Sequence, residues 1–199
     1  MAGEVLKYFA APSTFPWGLA FDGKHLWVAR WTTNVIYQLD LNGVAIKSFS
    51  LGGTNGRDLA FDGKYLWYCR AGFIDQLDLN GQVLRSINFV DTTNKGLAFD
   101  GKYLWVGADF PGLIYQLDLN GVVLRSFAAP HDVVYGLAFD GKHLWVCPAA
   151  AGTIYQLDLN GVVLRSFAAP EASIGGLAFD GKHLWAVGRT NNRIYMLAV

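Results

Sequence analysis

The sequence predicts an all-β fold: a closed β-propeller of five blades, each a four-stranded antiparallel sheet, with the first strand of the chain completing the last blade. Three observations predict it. A block reading Leu-Ala-Phe-Asp-Gly-Lys-(His/Tyr)-Leu-Trp begins at Leu19, Leu59, Leu97, Leu137 and Leu177, in steps of 40, 38, 40 and 40 residues. Turn dipeptides interrupt each unit often enough to leave only short strands. The two ends of the chain hold complementary parts of one unit.

The third unit shows the reading of a blade. Gly96 to Phe99 form a first strand, Asp100-Gly101-Lys102 a turn, and Tyr103 to Gly107 a second strand. A variable loop follows, then a third strand from Ile114 to Leu119, an Asn120-Gly121 turn, and a fourth strand from Val122 to Ala128. Asp-Gly and Asn-Gly between apolar runs favour hairpins with type I′ turns, which need positive φ at both central residues. Neither alternating set of Tyr103-Leu104-Trp105-Val106 is polar, so each sheet must be covered on both faces. Stacking such meanders around an axis does this, and units of about 40 residues are the propeller signature.

The fifth unit ends at Val199, after its third strand. Its missing fourth strand is found at the other end, where residues 3–12 (Gly-Glu-Val-Leu-Lys-Tyr-Phe-Ala-Ala-Pro) match residues 121–130 (Gly-Val-Val-Leu-Arg-Ser-Phe-Ala-Ala-Pro). Pairing this segment with the last blade covers an open edge and fastens the ring. The expected organisation is one domain over residues 1–199, with residues 1–12 as the closing outer strand and blades starting near 18, 58, 96, 136 and 176.

Composition narrows function by exclusion. Sixteen basic and sixteen acidic residues cancel, which gives no electrostatic footprint for nucleic acid or an anionic membrane. No signal-peptide pattern and no apolar run approaching about 20 residues is present, so a soluble monomer is expected and no compartment is indicated. Cys69 and Cys147 stand at equivalent places two units apart and read as small buried residues rather than a disulfide.

The blocks Ala-Phe-Asp-Gly-Lys-Tyr-Leu-Trp-Val (residues 98–106) and Ile-Tyr-Gln-Leu-Asp (residues 114–118) resemble the repeats of the NHL, YVTN and SMP-30-like propellers. The resemblance implies the blade and no particular chemistry, because those families include lactone hydrolases, lyases and interaction platforms. Such relatives usually have six or seven blades, against five here.

Positions identical in every unit are dictated by the blade. On this ground Trp27, Trp67, Trp105, Trp145 and Trp185 are expected between blades rather than as a stacking ladder, and Asp22, Asp62, Asp100, Asp140 and Asp180 in turns rather than around a metal. His25, His143 and His183 alternate with Tyr65 and Tyr103, which speaks for packing over zinc; no metal and no cofactor is expected.

Function is sought where the units differ, in the loops between strands two and three and between blades, which share one face of the disc. Trp17, Arg57, Lys95, Tyr135 and Gly175, one per blade before the first strand, are expected to rim the channel on that face. Arg30, Trp31, Arg70, Asp109, Phe110 and Arg189 are expected around them. Cations and aromatics converging there suit a small polar or anionic ligand, a sugar or a peptide, held by charge-assisted hydrogen bonds and stacking. The sequence therefore points to a non-catalytic binding or scaffold module. The alternative is a glycan- or lactone-processing hydrolase or lyase using Asp58, Asp91 or Asp109, with Asp132 and Glu171 on the same face, although no catalytic motif supports it. A further alternative is a recently amplified or deliberately designed repeat without an evolved ligand, since the turn chemistry and patterning of the units are so uniform.

Overall fold

The computed structural model describes residues 1–52, 56–70, 72–89, 95–149 and 151–199. Strand β1 (Val5–Ala10) comes first and stands apart from the next four in sequence. Blade 1 contains β2 (Pro16–Phe21), β3 (Leu26–Arg30), β4 (Val35–Leu39) and β5 (Ala45–Ser50); blade 2 contains β6 (Gly56–Phe61), β7 (Leu66–Arg70), β8 (Phe73–Leu77) and β9 (Val83–Asn88). Blade 3 contains β10 (Gly96–Phe99), β11 (Leu104–Gly107), β12 (Leu113–Leu117) and β13 (Val123–Ala128), and blade 4 contains β14 (Val134–Phe139), β15 (Leu144–Pro148), β16 (Thr153–Leu157) and β17 (Val163–Ala168). Blade 5 is made of β18 (Ile174–Phe179), β19 (Leu184–Gly188), β20 (Arg193–Leu197) and β1, in the sheet order β1-β20-β19-β18. The chain is thus a five-bladed β-propeller closed by its N-terminal strand.

Closure reproduces the turn found in the other blades. The Gly3 amide donates to Ala198 O at 2.9 Å and the Ala198 amide to Glu4 O at 2.9 Å, as the Gly121 amide donates to Asp118 O and the Asp118 amide to Val122 O, both at 3.0 Å. Lys7 Nζ donates to Leu41 O at 2.8 Å, tying the closing strand to blade 1 as well.

Five apolar clusters, one at each blade interface, make up the core. Between blades 1 and 2, for example, Ala20, Trp27, Ala29 and Ile36 pack on Leu59, Leu66, Tyr68 and Leu77. The five repeated tryptophans are at most 1% exposed, and each finds an acceptor in its own turn aspartate. In blade 1, Asp22 Oδ2 accepts from Trp27 Nε1 at 2.8 Å, while Oδ1 accepts from the Lys24 and His25 amides at 2.9 and 2.6 Å. Burial pushes the Asp22, Asp140 and Asp180 carboxyls up, but these N–H donors outweigh it and leave all three below the usual carboxylate value.

Three expectations need correction. Within the repeated turns only the glycine has positive φ, for example Gly23 at 92° and Gly121 at 88°, so these are not type I′ turns. The aspartate side chain captures the following amides and removes the need for a second left-handed residue. The same capture shortens blade 3's third strand: Asp118 Oδ1 takes the Asn120 and Val122 amides, and β12 ends at Leu117 rather than Leu119. Finally, only the three inner strands of a blade are covered on both faces. The fourth lies at the rim, where Val123 and Leu124 are 39% and 47% exposed.

Candidate functional site

Aligning the units on their tryptophan separates two variable positions that meet on one face. Ten residues before it stand Trp17, Arg57, Lys95, Tyr135 and Gly175; four residues after it stand Trp31, Ala71, Asp109, Ala149 and Arg189. Because the first and second strands of a blade are paired, the two positions become neighbours above the axis. Gly175 is the decisive residue among them. Without a side chain in blade 5, it lets Trp17 and Tyr135 from blades 1 and 4 come together, with ring centroids 5.0 Å apart.

Arg189 covers this pair, its guanidinium 3.7 Å from the Trp17 ring centroid and 4.9 Å from that of Tyr135. Trp31 packs on Trp17 at 5.2 Å, and Lys95 lies 4.9 Å from Tyr135 while pairing with Asp109. Trp17, Trp31, Lys95, Tyr135, Asp109 and Arg189 are therefore brought together. Two of the expected residues point elsewhere. Arg70 is held by Asp75, Nε to Oδ2 at 2.7 Å, and stacks on Phe73 at 4.3 Å. Arg30 reaches Thr14 Oγ1 at 3.4 Å. Asp91 lies outside the described residues.

Beside the cluster, between blades 5 and 1, is a cavity of about 210 Å³. Phe15, Trp17 and Trp31 wall it with aromatic surface, and Ser173, Arg189 and Thr190 supply its polar groups. Arg189 Nη1 donates to Ser173 Oγ at 3.2 Å. Burial lowers the Arg189 pKa, opposed by the Tyr135 hydroxyl and the nearby Cys147 and Glu171; a guanidinium stays charged through such a shift. Glu171 itself is engaged, Oε1 by the Thr190 amide at 2.7 Å and Oε2 by the Tyr195 hydroxyl at 3.0 Å. Among the described residues no carboxylate lies within 4.0 Å of Arg189.

Trp17 differs from the five blade tryptophans in one telling respect. Its Nε1 is buried and has no acceptor among the described residues, whereas each blade tryptophan donates to an aspartate at 2.7 to 3.0 Å. Buried indole N–H groups ordinarily find a partner.

Asp58 is not on the variable face, contrary to its place among the candidate acids. Its side chain is 0% exposed and occupies the axis itself. Oδ1 accepts from the Leu19 amide of blade 1 at 3.1 Å, and Oδ2 from the Leu97 amide of blade 3 at 2.9 Å and the Leu137 amide of blade 4 at 3.4 Å. The other four blades carry Gly18, Gly96, Gly136 and Gly176 here, and the space is already full: a Cβ on Gly176 would sit 2.6 Å from Leu19 N and 2.7 Å from Asp58 Oδ1. One carboxylate fits because four side chains are missing. Burial raises its pKa well above the ordinary value, against the pull of four backbone amides. The signal was in the sequence, as the one acid in a column of glycines.

On the opposite face, the Leu-Ala-Phe trios of the five first strands line an axial well of about 80 Å³. His25, His143 and His183 pack at the turns, each with Nδ1 3.2 to 3.5 Å from its turn aspartate. No group of three or more His, Cys, Asp or Glu among the described residues is arranged to hold a metal. Cys69 and Cys147 are buried free thiols, and no helix among the described residues is long and apolar enough to cross a membrane.

Comparison with solved structures supports the class of protein this architecture defines. Glutaminyl cyclase from Myxococcus xanthus superimposes with a TM-score of 0.85 at 16% identity, covering 98% of this chain and 94% of that one. Virginiamycin B lyase from Staphylococcus aureus gives 0.58 at 18% identity over 96% and 68%, and a β-propeller domain from Myceliophteria thermophila gives 0.59 at 13% over 98% and 99%. No protein-family model matches the sequence, and no curated protein does. At these identities the likeness establishes the propeller fold and nothing finer.

Proposed function

We propose that the chain is a binding module whose variable face seats the anionic group of a small ligand on Arg189, in the cleft between blades 5 and 1. One observation carries this reading: a guanidinium stacked on Trp17 and Tyr135 forms part of a cavity wall, and no described carboxylate pairs with it. A desolvated arginine forms strong charge-assisted bonds with a carboxylate or phosphate. Lys95, by contrast, already has Asp109 as counter-charge. Two of the acids offered for catalysis are engaged elsewhere: Asp58 has no accessible surface and its oxygens accept from main-chain amides, and Asp109 is paired with Lys95. Two structural neighbours are enzymes, a glutaminyl cyclase and a lyase, and their chemistry is not carried over.

Titration calorimetry of the full chain with acetate, benzoate, glucuronate and inorganic phosphate tests the proposal. At least one anion should bind, and Arg189→Gln should weaken it tenfold or more while the melting temperature stays within a few degrees. Absence of binding by every anion, or equal binding by the variant, would overturn it.

A further inference from the structure

We infer that the body of this ligand is a single planar apolar ring, so that the cleft selects an aromatic monocarboxylate, and that Phe15 is the wall that clamps it. The inference rests on the Arg189 reading and adds the class of molecule. Size sets the first limit: about 210 Å³ is below the roughly 300 to 1,000 Å³ typical of sites for drug-sized ligands. One ring bearing one charged group is the matching scale.

Hydrogen-bonding capacity sets the second limit. A sugar acid of the same size presents several hydroxyls, each needing a partner once buried. The cleft offers few partners to them: the hydroxyls of Ser173, which accepts from Arg189, and of Thr190, and the unpaired Trp17 indole. Three aromatic side chains make up most of the remaining wall. Such a surface rewards a flat apolar face, by offset or edge contact, more than a polyhydroxylated one.

Phe15 supplies an independent observation. It adopts φ of 58°, a left-handed conformation that is costly for a bulky residue. What sets it apart from its counterparts is its amide, which donates to Asn192 Oδ1 at 3.0 Å; its carbonyl accepts from the Trp31 amide at 3.2 Å, as those of Val133 and Ser173 accept from Ala149 and Arg189. The result is a ring left 55% exposed beside the cavity. The equivalent residues of blades 4 and 5, Val133 and Ser173, show no such strain. The left-handed backbone thus sets the ring in the cavity wall together with Trp17 and Trp31, where an aromatic clamp would stand.

The test compares ligands and uses Phe15→Gly, which removes the ring and relieves the left-handed strain, so the variant is expected to fold. Calorimetry on the full chain should show benzoate binding at least tenfold more tightly than acetate or glucuronate, with benzamide, its neutral counterpart, failing to bind. Phe15→Gly should cut benzoate affinity about tenfold and leave acetate unchanged. If glucuronate or acetate binds through Arg189 as well as benzoate does, or if Phe15→Gly leaves benzoate unaffected, the ring inference falls and the anion site stands. If no anion binds, both fall together.

Discussion

The two faces of the disc are built from opposite ends of the same strands. On the constant face, each blade repeats one local network in which an aspartate takes two backbone amides and the tryptophan indole, so these donors are satisfied within their own blade. On the variable face, Trp17, Tyr135 and Arg189 come from blades 1, 4 and 5, and each side chain is placed by its neighbours across the axis. Networks closed within a blade can be copied without limit. Networks closed between blades must break the repeat, because each member does a different job. Asp58 shows that this second kind of construction also serves stability, since one unlike residue joins four blades at their centre.

The largest expected effect follows from that last point. Asp58→Ala leaves the Leu19, Leu97 and Leu137 amides buried without their acceptor, and should cost about 4 kcal/mol, the scale seen when one member of a buried polar network is removed. Urea unfolding at neutral pH measures it directly. A loss under about 1 kcal/mol would show that the axial carboxylate holds nothing together and would erase the distinction between Asp58 and the surface acids.

Most of the fold was legible because the blade is a local object. Repeat spacing, the turn dipeptides and the match of residues 3–12 with residues 121–130 prescribe strand order, blade count and closure, and the sheets follow them. The turn type was misread because the aspartate side chain competes with backbone geometry, an effect that dipeptide identity alone does not reveal. The candidate site was legible as a set of unlike residues on one face. Which of them converge was not: Arg70 turns to Asp75 because blade 2 exchanges the usual tyrosine of the third strand for an acid, and Trp17 reaches Tyr135 only because Gly175 leaves a gap between them. Phe15 was missed altogether, since backbone strain leaves no mark in composition or spacing.

A middle-sized effect tests whether the constant face is truly modular. Asp140→Ala removes the acceptor of two backbone amides, one buried indole and the Gln156 side-chain amide, and should cost about 2 kcal/mol. The same change at Asp22, Asp62, Asp100 or Asp180 should give the same loss within about 1 kcal/mol, because each network is closed inside its own blade and differs only in whether a third-strand glutamine also donates. Five separate urea titrations decide it. A spread above 1 kcal/mol would mean that the blades are coupled through their turns, and the contrast between the faces would weaken.

The last test separates the two kinds of carboxylate by the sign of their response to pH rather than by its size. Asp22, Asp140 and Asp180 have folded pKa values below the usual one, so their contribution is present above about pH 4 and is lost as the pH falls through the folded values. Asp58 is raised instead. From about pH 4 upward the unfolded chain releases this proton while the folded chain keeps it, so the folded state loses stability as the pH rises, by at most about 1.4 kcal/mol per pH unit, until the folded pKa is passed. Asn at position 58 cannot titrate. The stability advantage of the native protein over Asp58→Asn should therefore be greatest near pH 4 and shrink toward pH 8, whereas its advantage over Asp140→Asn should grow between pH 3 and pH 5. Parallel stability curves for the native chain and Asp58→Asn would mean that the axial carboxyl titrates alike in the folded and unfolded states, and would place it in the same class as an ordinary exposed acid.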